Sequence, residues 1–279
     1  EDQTGSIVIT TNSSQTVSLA DAFTYKTPGV IDSATPNIGQ QLTEVVIEGS
    51  ELYGYADDLE AVYLADVLVH AIVNATNTKI VVDAGSSNAT AGVVTIVGTS
   101  GAVTKSAFQW TYVPVGIVTS VSPSSGQYRT RVVMTGTNLL SGGAHLSDAS
   151  LSGTSVLEIV SESNEEVVVI ADGAYAQNAS NVVLFSANGA NTTGVDLWTY
   201  LDNGNVTSVS PNSGQRGTRV TIVGTGLLGG ASNASSVTLD GVSAEIISST
   251  PTTIIVIAQE GSAGTGDVVI VADSNALVS

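Results

Sequence analysis

The residues of this chain that could do chemistry are few, and their spacing argues against catalysis. The two histidines, His70 and His145, stand far apart, and neither has a second imidazole or a carboxylate at ligand spacing, so each reads as a strand or loop residue. Cysteine is absent, which removes disulfides, thiolate metal sites and a cysteine nucleophile. No Gly-x-Ser-x-Gly elbow, phosphate-cradling loop or His-Glu-x-x-His helix occurs. Gly224-Thr225-Gly226-Leu227-Leu228-Gly229 has the outline of a dinucleotide motif, but it follows a strand pattern and opens no helix, so it reads as a turn. The acidic clusters Asp57-Asp58-Glu60 and Glu162 with Glu165-Glu166 lack the alternating spacing of a Ca²⁺ loop and read as solvated faces. The expectation is a protein that is not an enzyme, with no metal site, no Ca²⁺ and no cofactor.

Covalent modification has better support. Asn12, Asn74, Asn88, Asn178, Asn191, Asn205 and Asn233 each open an Asn-x-Ser/Thr sequon, and several fall in turn-forming runs such as Gly230-Ala231-Ser232-Asn233-Ala234. Attached N-glycans are expected, and with them an extracellular or cell-surface location.

The elements that hold these residues follow from composition. In 279 residues there are 25 acidic and 7 basic side chains, a formal charge of −18, so phosphate backbones and anionic lipid surfaces would repel the chain. Neither nucleic acid nor membrane insertion is expected, and no apolar run approaches the roughly 18 residues of a spanning helix. With 42% hydrophobic residues the chain can bury real cores, and 29 glycines among abundant Val, Ser and Thr favour short strands joined by turns. The class is all-β.

A repeat of about 87 residues organises the chain. Pro36, Pro123 and Pro211, which lead into Gly39, Gly126 and Gly214, keep one spacing. So do Gly49, Gly136 and Gly224, and so do the ends Phe23-Thr24-Tyr25, Trp110-Thr111-Tyr112 and Trp198-Thr199-Tyr200. After each proline turn comes a run alternating at period two, as in Thr218 to Gly224, the mark of a strand with one buried face. Asp240-Gly241 is a hairpin turn between Val237-Thr238-Leu239 and Val242 to Ile246. Roughly seven strands per unit predict Ig-like β-sandwiches in tandem, with the aromatic pairs packed in their cores. The short spans from Tyr112 to Pro123 and from Tyr200 to Pro211 leave little free linker and predict a stiff rod.

At Val206 to Leu227, above all Ser210-Pro211-Asn212-Ser213-Gly214-Gln215-Arg216-Gly217-Thr218, the chain resembles the opening of an IPT/TIG domain, the Ig-like fold of plexins and some transcription factors. Ile117 to Leu139 resembles it nearly as well. The first unit departs at Gln41-Leu42 and Thr43-Glu44, where the usual Gly-Thr is lost. The resemblance implies the fold and leaves function open, because such domains serve in receptors, polysaccharide enzymes, DNA-binding factors and long extracellular repeat proteins.

Domain boundaries follow: strands preceding the first repeat at 1–28, then sandwiches at 29–113, 114–201 and 202–279. By register Gly5-Ser6-Ile7-Val8-Ile9 corresponds to Gly92 through Ile96 and to Asp267 through Val271, so the sequence opens with the last two strands of a sandwich. The third unit stops before its Trp-Thr-Tyr strand, due at about residue 287. An unpaired strand slot exposes a hydrophobic groove and a row of backbone donors and acceptors. The expectation is that Val17, Leu19, Phe23 and Tyr25 form a donor strand for the third sandwich of another copy, giving a head-to-tail homopolymer, a structural filament or surface appendage. The alternative is a spacer or adhesion ectodomain of a larger receptor-like surface protein. A polysaccharide-associated accessory module is a third reading, and a section cut from a longer tandem array would leave the same ends.

Overall fold

The computed structural model describes residues 2–88 and 90–279, and among them every regular element is a strand. The chain divides into a unit ending at Val113 and a unit from Pro114 to Ser279.

The first unit begins with a hairpin, β1 (Gln3–Thr10) and β2 (Thr16–Tyr25), which forms a two-stranded sheet of its own. A sandwich comes next in the chain. One sheet runs Val30–Thr35, Glu44–Ser50, Lys79–Asp83, Ala71–Ala75, and the other runs Ile38–Gly39, Val103–Tyr112, Thr90–Gly98, Leu59–Leu64, Val67–Leu68. Alternation sorts the faces: Val45 and Ile47 have no exposure, while Glu44 and Glu48 on either side of them face water. Those two apolar residues, with Leu52, Ile80, Ile96 and Trp110, centre the core.

The second unit holds two further sandwiches. The sandwich over Ile117–Tyr200 repeats the strand order of the first, four strands against five, around Met134, Leu151, Leu184 and Trp198. In the last one the strand Val242–Ser249 bridges both layers, giving one seven-stranded sheet in the order Asn205–Ser210, Arg219–Thr225, Thr253–Ile257, Val242–Ser249, Ala234–Leu239, Val268–Ala272, Leu277–Val278. Its core holds Ile222, Leu227, Ile254, Val256 and Ile270.

The repeated residues have shared causes. Each of the bonds preceding Pro36, Pro123 and Pro211 is cis. Gly49, Gly136 and Gly224 lie where a Cβ would collide with the carbonyl oxygen of Val30, Ile117 and Asn205, which is why the strand admits only glycine there. In each proline turn a threonine hydroxyl accepts from the glutamine N–H three residues back, at 3.0 Å for Gln40–Thr43, Gln127–Thr130 and Gln215–Thr218. The outline Gly224 to Gly229 is a turn, with Gly226 and Gly229 at φ of 60° and 54° and Leu227 and Leu228 turned into the core.

Candidate functional site

The closing strand is the element that differs among the three sandwiches. In the first, Val103–Tyr112 lays Trp110 and Tyr112 into the core, ring centroids 4.4 Å apart, and the indole Nε1 donates to the Pro36 carbonyl at 2.9 Å. Its far end pairs in parallel with the proline turn: Thr111 N–H donates to Asn37 at 3.0 Å and Val113 N–H to Gly39 at 2.8 Å. The second sandwich repeats the buried ring pair, as Trp198 and Tyr200, and the parallel pairing, with Thr199 donating to Ser124 at 3.0 Å and Leu201 to Gly126 at 2.8 Å.

In the third sandwich only Leu277–Val278 occupies that line, and beside it the surface opens into a groove of about 780 Å³. Its walls are the residues that a closing strand covers elsewhere. Gln40 and Gln127 are buried and Gln215 is exposed; Ala84 and Ala171 are buried and Ala258 is half-buried; Val94 and Val182 are buried and Val268 is half-buried. Arg216 and Glu260 stand at the rim with their charged ends 3.7 Å apart.

The aromatic pair Phe23/Tyr25 has the opposite condition. Its rings are edge-to-face at 4.9 Å, as in the two buried pairs, yet they are 53% and 70% exposed. Sequence alone placed this pair in a core, and within its own unit it packs in none. Val17 and Leu19 are exposed on the same strand, at 71% and 66%. Together they make an exposed row of large apolar side chains along one strand. The hairpin is tied at its base by Lys26, whose ammonium lies 2.7 Å from the Asp2 carboxylate and 5.6 Å from the Tyr55 ring centre. That hydrogen bond holds the Asp2 carboxyl below the usual carboxylate range.

One expected alignment needs correction. Val237 faces Ile270 as Ala149 faces Leu184, so Val268 takes the place of Val182 and Gly266 that of Ser180. Gly5 therefore corresponds to Gly266, not to Asp267. In a strand that single step exchanges the buried and exposed faces.

Of the seven sequon asparagines, Asn12, Asn74, Asn88, Asn178, Asn205 and Asn233 are exposed, and Asn191 is half-buried at a strand start. His70 and His145 are not brought together with any carboxylate cluster, and among the described residues no group of three potential ligands could hold a metal. What sequence reasoning missed is the groove wall itself: Pro211, Gly214 and Ala258 are marked only by their register with buried counterparts.

Among the described residues no helix is long and apolar enough to cross a membrane. No curated protein matches the chain in sequence. Among solved structures, the extracellular region of plexin A4 is similar at 18% identity over 85% of this chain and 21% of that one, with a TM-score of 0.49. The surface glycan-binding protein SGBP-B of Bacteroides ovatus is similar at 15% identity over 99% and 66%, TM-score 0.28, and the I9–I11 tandem of titin at 12% over 86% and 92%, TM-score 0.28. The chain thus spans about a fifth of the plexin A4 region it matches. Residues 205–279 match the IPT/TIG domain family. That match is confined to the third sandwich, and the chain as a whole is a tandem of Ig-like β-sandwiches.

Proposed function

We propose that the protein is an extracellular structural subunit that polymerises head-to-tail, β2 of one copy completing the third sandwich of the next. The observation that carries this reading is a complementary pair on one chain: an apolar strand with 53% and 70% exposed rings, and a groove whose counterpart walls are buried by the equivalent strand in the other two sandwiches. Burying Leu19, Phe23 and Tyr25 would contribute about 1.5–3 kcal/mol for each large side chain, enough to drive association. The contact joins two different surfaces, so it propagates a filament unless the rotation closes a ring. Deleting residues 1–26 should leave folded monomers that form no fibres by electron microscopy, and a peptide of residues 15–28 should raise the melting temperature of the truncated protein. Fibres of unchanged morphology from the truncated protein would reject the reading. So would a natural chain that continues past Ser279 into its own Trp-Thr-Tyr strand, which would favour the spacer ectodomain.

Glycans belong to the same proposal. The six exposed sequons offer accessible acceptors on a surface carrying a formal charge of −18. Intact mass before and after enzymatic deglycosylation of native material should fall by several glycan masses, with Asn191 the least occupied. An unchanged mass would remove glycosylation while leaving the assembly reading in place.

A further inference from the structure

The pairing registers carry the donor reading further, and the exchange they describe rests on that reading. Across the closing hairpin of the second sandwich, Ser180 faces Trp198, Val182 faces Gly194 and Leu184 faces Thr192. Across the exposed hairpin, Gly5 faces Phe23, Ile7 faces Leu19 and Ile9 faces Val17. Both ladders advance two residues on one strand against four on the other at the same point, and inside that bulge Asp21 and Asp196 share a left-handed backbone, φ 52° and 54°. β2 already has the conformation of a closing strand.

In the third sandwich Ile270 faces Val278, the place that Leu184 and Thr192 hold in the second. Val17 is therefore the counterpart of Val278, and Ser18–Tyr25 continue the strand from the point where Val278 leaves it. In that line Phe23 falls opposite Gly266. Thr24 and Lys26 present their N–H groups to the carbonyls of Asn212 and Gly214, as Thr199 and Leu201 do to Ser124 and Gly126.

β1 stands in the way. Gly5, Ile7 and Ile9 of β1 sit along β2 as Gly266, Val268 and Ile270 would, on the same edge. A strand offers alternate backbone groups to its two edges, and turning β2 over to use the other edge would send Phe23 and Tyr25 to solvent. We infer that assembly is a strand exchange: Ser18–Tyr25 of one copy enters the third sandwich of a second copy in this single register, and the Val268–Ala272 strand of that copy replaces β1 along β2. β1 is a placeholder that pairs the donor edge in the free subunit. Ladder hydrogen bonds broken with β1 are re-formed with the acceptor, and the burial of Phe23 and Tyr25 drives the exchange.

The absence of cysteine makes the test clean. Thr4 and Thr24 face one another across the hairpin, their hydroxyls 2.9 Å apart. The T4C/T24C protein, oxidised, has β1 bolted to β2. Its fibre growth should fall at least tenfold and return to the wild-type rate on reduction. By register Thr265 takes the place of Ala91, which faces Thr111, the counterpart of Thr24. Separately tagged T24C and T265C chains, mixed and oxidised after assembly, should cross-link to each other, and T24C mixed with D267C should cross-link far less. Oxidised T4C/T24C that grows as fast as wild type, or cross-linking at 267 rather than 265, would overturn the exchange while wild-type fibres keep the donor reading. Wild-type protein that never assembles would overturn the donor reading itself.

Discussion

Tyr112 and Tyr200, each about 1% exposed, are the buried phenols of the two closed sandwiches. Burial pushes both phenols up to about 12, with Asp172 adding to the effect at Tyr200. A folded-state value above the unfolded value near 10 means that the neutral phenol stabilises the fold, fully below pH 10, and that this contribution is lost as pH rises from 10 through 12. The loss should reach roughly 2–3 kcal/mol for each tyrosine. Denaturant midpoints measured from pH 8 to 12 should fall steeply above 10, and the Tyr112→Phe, Tyr200→Phe protein should follow a flatter curve. Equal slopes would place the alkaline sensitivity elsewhere. The same ring chemistry recurs at Tyr25, in solvent, so residue type alone does not decide a tyrosine's role in this chain.

Trp198 and Phe23 occupy corresponding points of corresponding hairpins, one with no exposure and one 53% exposed. Trp198→Ala should cost about 3–5 kcal/mol of stability through the cavity it leaves. Phe23→Ala should change the stability of the free subunit by no more than about 0.5 kcal/mol. Calorimetry of both variants as monomers checks the contrast; a large loss at Phe23 would mean that the hairpin is already buried in the free protein. This contrast also marks what was legible in the sequence. Alternation in Thr218 to Gly224 and the Asp240-Gly241 turn gave strands because period and turn chemistry are local properties, and the structure has them at Arg219–Thr225 and at Ala234–Leu239 with Val242–Ser249. The exposure of Phe23 and Tyr25 was not legible, because Phe-Thr-Tyr reads like Trp-Thr-Tyr and only the strands packed around each pair distinguish them. The step from Asp267 to Gly266 was hidden for a related reason: Gly266-Asp267-Val268-Val269-Ile270 fits either register by composition, and pairing with Ala234–Leu239 selects one.

Within the second unit, the third sandwich is fastened to the second by the same turn that closes the second. Gln127, 1% exposed, accepts from Gly204 N–H at 2.6 Å through its side-chain oxygen, and its amide nitrogen donates to the Leu277 carbonyl at 3.4 Å. Backbone bonds join it there: Arg131 N–H to Ser274 at 2.7 Å and Leu277 N–H to Tyr128 at 3.2 Å. The Leu277–Val278 strand is thus gripped on one side by Val268–Ala272 and on the other by the neighbouring sandwich, at the point where a donated strand would have to begin. A buried amide that satisfies two backbone groups leaves both unpaired when it is removed, at a cost of about 1–3 kcal/mol for each. Gln127→Ala should therefore raise amide exchange at Gly204 by tenfold or more, and more weakly at Leu277, whose N–H keeps its own bond to Tyr128 but whose carbonyl loses Gln127, while leaving Val132 and Met134, inside the second sandwich, at wild-type rates. If the fixed Leu277–Val278 strand guides the donor into register, fibre growth should slow in parallel with that loosening. Faster exchange with unchanged growth would assign Gln127 to the junction alone, and unchanged exchange would show that the backbone bonds from Arg131 and Leu277 suffice to hold the two sandwiches together.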